Sequence, residues 1–375
     1  MEFGIHQQIL LSVFSIALAL GVIGQKTRFC TMGAVSDWVN MGDTGRMRSW
    51  VFAMAIALAG VVSLEAAGTV NVTGDTFPPY RTAHFAWLRY LLGGLMFGIG
   101  MTLASGCGNR TLVRIGGGNV KSLTVLVVAA VCAYLMVWTA LFETAFLPWI
   151  QETTLDLAKH GMPTQEVGSV VAGMFGLAPS RTLNLAISGA AALGMFAWVL
   201  SARDFRAGTD NILGGAAVGL AVVAGWWLTG GSLGQAWKEY AEMATEIPSR
   251  VQPQSFTFIS PMADSLRYFM QPTKLSLVNF GVVALFGVIL GGFLYSIVKK
   301  EFRYERFYTF KDFANHVIGG ALMGIGGVLA MGCTIGQAVT GVSTLAIGSI
   351  LVFFSIVIGA AGTMKYQYWR MMQEA

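Results

Sequence analysis

The sequence predicts an all-α polytopic membrane protein with about nine transmembrane helices and re-entrant half-helices in an inverted-topology internal repeat. Three observations carry this. First, of 375 residues 55% are hydrophobic and only 11% charged, with a mean hydropathy of +0.63, whereas soluble domains hold about 25% charged residues. Second, apolar runs close to the roughly 20 residues needed to cross a bilayer recur along the whole chain. Third, the stretch Gly93 to Cys107, GGLMFGIGMTLASGC, returns as Gly319 to Cys333, GGALMGIGGVLAMGC, with nine of fifteen residues identical at an offset of 226. An internal repeat in a membrane chain points to a transporter built from two related halves. Small residues alone would also serve close helix packing, but they do not explain a cysteine at the same place in both copies.

Taken in order, the crossings lie near 7–25, 47–68, 86–104, 122–146, 182–201, 210–229, 275–298, 314–331 and 344–364. The N-terminus carries Glu2, no early Lys or Arg and no small-residue cleavage site, so it reads as a retained first helix rather than a signal peptide. Three short pieces fit no crossing: RFCTMGAVSDWV (28–39), GCGNRTLVRIGGG (106–118) and GCTIGQAVTGVS (332–343). They are too short to span and rich in Gly, Thr or Ser, which suits half-helices at membrane depth. Such backbone is tolerated only where protein or a wet cavity satisfies its polar groups. The segment 150–180 is an external loop, and 230–273 is the longest polar insert of the second half.

With nine crossings the basic residues divide sixteen against eight between the two sides. The richer side is assigned to the cytoplasm, leaving the N-terminus outside and the C-terminus inside. Crossings one to four form a first half (1–150), an odd connector follows (151–209), and six to nine form a second half (210–375). The odd connector inverts the second half. Within the insert, TFISPMADSLRYF (257–269) sits where the repeat asks for a partner of RFCTMGAVSDWV, placing Ile259 or Ser260 opposite Cys30.

The four cysteines (Cys30, Cys107, Cys132, Cys333) form no C-x-x-C pair and the four histidines are scattered, so neither a disulfide framework nor a metal site is expected. The net charge of +5 reflects cytoplasmic loops rather than nucleic-acid binding. Cys107 and Cys333 each follow a glycine that can end one helix and precede a segment that can begin another. A thiol there lies near a half-helix N-terminus, where unpaired N–H groups and the dipole favour an anion. A neutral thiol is a weak hydrogen-bond donor, which suits a site that must release what it binds. Three thiols without a fixed positive charge favour a soft, sulfur-containing anion. Gly106, Gly108, Asn109, Thr31, Gly332, Thr334, Gln337 and Ser260 are candidates to line the same path. Alternatively, the polar ones among them satisfy re-entrant backbone. Cys132, inside the fourth crossing, reads as packing. Arg110 and Arg114 read as positive-inside residues that an anion could also meet, and Glu65 and Glu143 stand near outer ends of crossings.

At these residues the sequence resembles the YeeE/YedE, or sulphur transport, family of bacterial inner-membrane proteins. The marks are R-F-C-T-x-G at Arg28 to Gly33, L-A-S-G-C-G at Leu103 to Gly108 and L-A-M-G-C-T-I-G at Leu329 to Gly336. The resemblance implies an hourglass-like protein that takes up thiosulfate, with Cys30, Cys107 and Cys333 relaying the ion by S–H contacts. It also implies a separate cytoplasmic TusA-like sulfur carrier as partner; no cofactor is expected. Transport of another sulfur or selenium species is the alternative within the family. A membrane thiol oxidoreductase is the alternative from another class, which wants closely spaced redox pairs that the sequence does not display.

Overall fold

The computed structural model describes residues 4–72, 75–244 and 246–374; Glu2, on which the reading of the N-terminus leaned, lies outside them. The first part of the chain forms helices α1 (Ile5–Thr27), α2 (Thr31–Met41), α3 (Gly45–Ala66), α4 (Trp87–Leu103), α5 (Gly108–Gly116) and α6 (Val120–Trp138). A π-helical turn (Phe142–Phe146), α7 (Leu147–Glu152), α8 (Val167–Met174), α9 (Arg181–Leu200) and α10 (Arg203–Ala207) connect it to the second part. There follow α11 (Thr209–Gly230), α12 (Ser232–Met243), α13 (Ile259–Met270), α14 (Phe280–Val298), α15 (Phe310–Leu329), a π-helical segment (Ile335–Gly341) and α16 (Ile347–Glu374). Two short strands, β1 (His84–Phe85) and β2 (Leu155–Asp156), pair antiparallel with His84 opposite Asp156.

This is an all-α polytopic membrane fold, and eight segments among the described residues are long and apolar enough to cross a bilayer. The remaining expected crossing is α15, a helix of 20 residues whose opening turns carry Lys311, Asp312 and His316. Several boundaries differ from the sequence reading. The fourth crossing stops at Trp138 because Thr139 is extended and turns its hydroxyl back onto the Leu135 carbonyl, a bond that competes with helix propagation. The seventh begins at Phe280, where Asn279 caps the helix by accepting from Val282 N at 3.0 Å. The last runs on to Glu374.

Packing follows a two-fold exchange of partners. Helix α1 lies against α14 as α11 lies against α3, and α4 lies against α16 as α15 lies against α6. Helices α4 and α15, which carry the repeated stretch, pack against each other. Their glycines explain how closely. A Cβ on Gly93 would sit 2.9 Å from the Gly326 carbonyl oxygen, and one on Gly326 2.9 Å from that of Gly93. Gly100 and Gly319 stand in the same reciprocal relation at 2.7 Å. Backbone therefore meets backbone at both ends of the crossing, and association of this kind rests on van der Waals contact rather than on the hydrophobic effect. On the outward face of α6, Leu123, Val127, Val131 and Leu135 recur every fourth residue and remain 42–53% exposed, as a lipid-facing stripe should.

Candidate functional site

The three expected segments are short helical pieces, and each cysteine stands at the head of one. Cys30 is the N-cap of α2 and Cys107 the N-cap of α5, both with extended backbone. Cys333 immediately precedes Thr334, the cap of the π-helical segment. The same backbone device places all three. Arg28, Ser105 and Met331, each two residues before its cysteine, adopt left-handed conformations with φ of 52°, 55° and 58°. In the two copies of the repeat, Gly106 N donates to Met101 O at 2.9 Å and Gly332 N donates to Gly327 O at 2.8 Å. These bonds close the preceding helix and turn the chain sharply at Gly-Cys.

The turns bring the thiols together. The Cys30 Sγ–H donates to Cys107 Sγ at 3.7 Å, in a buried contact between residues 77 apart in sequence. Cys333 lies across from them, since a Cβ on Gly108 would be 3.6 Å from Cys333 Cβ and 4.0 Å from Met262 Cε. Cys333 Sγ also accepts from Gly336 N at 3.4 Å. All four cysteines are free. Cys132 is set apart, half-buried on α6 with its Cβ 2.9 Å from where a Gly324 Cβ would be, and so packs against α15.

The polar neighbours divide into two groups. Thr31 and Thr334 are fully buried, and their hydroxyls have no hydrogen-bond partner. Thr257, which the sequence reading did not single out, is the same: its buried hydroxyl is unpartnered and lies against Gly336 and Gly332. No local signal marks Thr257, because only the fold brings it beside Cys333. Gln337 is tied down, its amide donating to the Ala330 carbonyl while its Oε1 is unpartnered. Asn109 is buried beside Gly24 of α1. Ser260 stands half-buried in the first turn of α13. The half-helix expected around 257–269 is present, but its cap is Phe258. Counted from the helix start, Phe258 stands where Cys30 stands in α2, one residue before Ile259 and two before Ser260.

Around the cluster, charged groups fix the half-helices. Arg114 donates to Ser105 O at 3.0 Å and pairs with Glu305 at 3.5 Å, so it holds the turn before Cys107. Arg110 contacts Gln25 Oε1 at 3.3 Å and, among the described residues, forms no ion pair. On the other side, Tyr80 OH donates to Gly336 O at 2.6 Å and Arg81 Nε to Thr344 O at 2.9 Å, strapping the loop before α4 over the π-helical segment. Arg81 is held in turn by Glu65 at 2.6 Å and Glu166 at 3.3 Å. This ion pairing accounts for Glu65, whereas Glu143 is exposed. Glu166, outside the spans, has its carboxyl pushed above the ordinary value by burial, against the pull of Arg81. No group of three or more His, Cys, Asp or Glu among the described residues could hold a metal ion.

The family model described as "Sulphur transport" matches residues 26–362. The chain is 25% identical over 336 residues, covering 85% of it and 83% of the relative, to "Thiosulfate transporter TsuA" of Escherichia coli (strain K12). It is 25% identical over 349 residues, covering 92% of it and 94% of the relative, to "Thiosulfate transporter TsuA" of Spirochaeta thermophila.

Proposed function

The chain belongs to the sulphur transport (YeeE/YedE) family, and from that premise we propose that it takes up thiosulfate across the bacterial inner membrane along a path lined by Cys30, Cys107 and Cys333. The family and its named relatives are transporters rather than enzymes. The observation that carries the proposal is that Cys30 and Cys107, at the heads of two separate half-helices, meet at 3.7 Å, with Cys333, at the head of a third, beside Gly108. Thiosulfate is a dianion with a large, polarisable terminal sulfur. The thiols donate S–H hydrogen bonds to it as it passes, and no covalent bond is made or broken. Neutral donors hold a dianion loosely, so entry and release both stay possible. The unpartnered hydroxyls of Thr31, Thr257 and Thr334 suit the sulfonate oxygens, while the N-termini of α2 and α5 add partial positive charge.

In this reading 1–150 and 210–375 are two halves of opposite orientation joined by 151–209. The exchange of helix partners supports that division. The N-terminus lies outside and the C-terminus inside, and a separate TusA-like carrier receives the product of uptake in the cytoplasm. Growth on thiosulfate as sole sulfur source in an uptake-deficient strain, with alanine variants of the three cysteines beside the parent, tests the proposal. Undiminished growth and uptake in all three variants at equal protein level would remove it. Competition of labelled thiosulfate uptake by sulfur and selenium oxyanions separates thiosulfate from its chemical neighbours.

A further inference from the structure

Away from the thiols, two cavities run together on the flank formed by α2, α3, α9 and α16. The larger, about 640 Å³, is lined almost wholly by apolar side chains, among them Trp38, Met47, Trp198 and Phe354. Several of these remain half-exposed, Trp38 at 47% and Trp198 at 45%. The smaller, about 450 Å³, is polar and lies where α2 gives way to α3, lined by Asp43, Thr44, Arg48 and Asp204. Thr44 lines both, so a long apolar groove opens at one end into a charged pocket.

The charges of that pocket specify its occupant. Asp43 accepts from Gly45 N at 2.8 Å, and among the described residues neither it nor Asp204 has an ion-pair partner. Arg48 likewise pairs with no carboxylate there. It is stacked over Trp198 at 4.2 Å and donates to the Trp198 carbonyl, which holds its guanidinium at the mouth of the groove. The first amide of α3 is already taken by the Asp43 carboxylate, so the guanidinium is what offers positive charge to an anion here. A guanidinium recognises a phosphate, and two carboxylates without ion-pair partners recognise a cation with N–H donors. We propose that this groove and pocket bind a zwitterionic phospholipid with a primary ammonium headgroup, of the phosphatidylethanolamine type. Its phosphate sits on Arg48, its ammonium between Asp43 and Asp204, and an acyl chain lies along the groove. A phosphatidylglycerol headgroup would bring no cation to the carboxylates, and a choline headgroup no N–H.

The position matters for the half-helices. Trp38 belongs to α2, which Cys30 heads, and Val342, also on the groove wall, directly follows the π-helical segment headed by Cys333. One lipid chain thus backs two of the three thiol-bearing elements.

The test is native mass spectrometry of the full-length, delipidated protein offered equal amounts of phosphatidylethanolamine, phosphatidylcholine and phosphatidylglycerol in mixed micelles. Retention of the ethanolamine lipid should exceed that of the glycerol lipid by about tenfold, the worth of one charge-assisted hydrogen bond. Asp43→Asn with Asp204→Asn should erase that preference while leaving the melting temperature of the lipid-free protein near the parent's. Because Asp43 also caps α3, Asp204→Asn alone serves if the double variant melts early, and should narrow the preference. Ala361→Trp, which fills the groove, should lower retention of all three lipids. Equal retention of the three by the parent, or a preference that survives the aspartate changes, would overturn the proposal. So would a dimer whose interface occupies the groove in place of lipid.

Discussion

Replacing Cys107 by alanine removes one sulfur from the centre of the cluster, and the structure sets the size of the effect. The sulfur is fully buried and accepts the Cys30 S–H at 3.7 Å. The variant therefore loses its own donor to the passing anion and also the group that orients Cys30. Each neutral hydrogen bond is worth about 0.5–1.5 kcal/mol. The two together come to about 1–3 kcal/mol, a fall of roughly five- to 150-fold in uptake rate. Cys107→Ser restores a donor but not the reach, since an O–H bond closes at about 2.5–3.0 Å, so its rate should lie between alanine and the parent. The assay is initial uptake of labelled thiosulfate into vesicles, normalised to folded protein by size-exclusion profile. Parental uptake by the alanine variant, or serine below alanine, would show that the thiols do not act as donors to the substrate.

Four further outcomes follow from other contacts. A mild thiol oxidant should couple Cys30 to Cys107, since closing 3.7 Å to a disulfide's roughly 2.05 Å needs only a small shift. Uptake should stop, recover with reductant, and become insensitive to the oxidant in Cys30→Ala to the extent that this variant remains active. Arg110→Gln should slow uptake several-fold with little change in melting temperature, because Arg110 makes no ion pair among the described residues, whereas Arg114→Gln should also lower the melting temperature. Gly98→Ala should destabilise by about 1–3 kcal/mol, because its Cβ would collide with the Ile356 carbonyl of α16. Gly194→Ala, with nothing within 4 Å, should stabilise by about 0.5–1 kcal/mol, both read by thermal unfolding. For Glu166, whose folded-state carboxyl titrates above its unfolded value, the folded state binds the proton more tightly. Stability relative to Glu166→Gln should thus be greatest below the unfolded carboxylate value, about pH 4.3, and decline as pH rises through the folded one. Thermal unfolding across that range measures it.

Much of this architecture was legible in the sequence because its signals are local. Glycine before cysteine inside an apolar run marks both turns of the repeat, and helices do end there. The R-F-C-T piece marked α2 because it was too short to span. What was not legible depends on distance in the chain. Nothing within the neighbourhoods of Cys30 and Cys107 announces that their sulfurs meet, and Thr257 becomes a neighbour of Cys333 only when the insert folds back. The thiol oxidoreductase alternative wants a close cysteine pair, which the sequence does not display and the fold supplies. What now weighs against that alternative is the family match. Phe258 could not be aligned with Cys30 because α13 and α2 share shape rather than residues, and one or two positions of slip escape pattern matching. The strap through Tyr80 and Arg81 was hidden because polar loops carry no period.

The reciprocal glycine contacts between α4 and α15 limit how such a molecule can work. At 93/326 and 100/319 a Cβ would come within 3 Å of the facing backbone, so the two copies of the repeat meet as a single seam with no side chain between them. Any residue larger than glycine at those four positions would have to part the two copies, and with them the turns that carry Cys107 and Cys333.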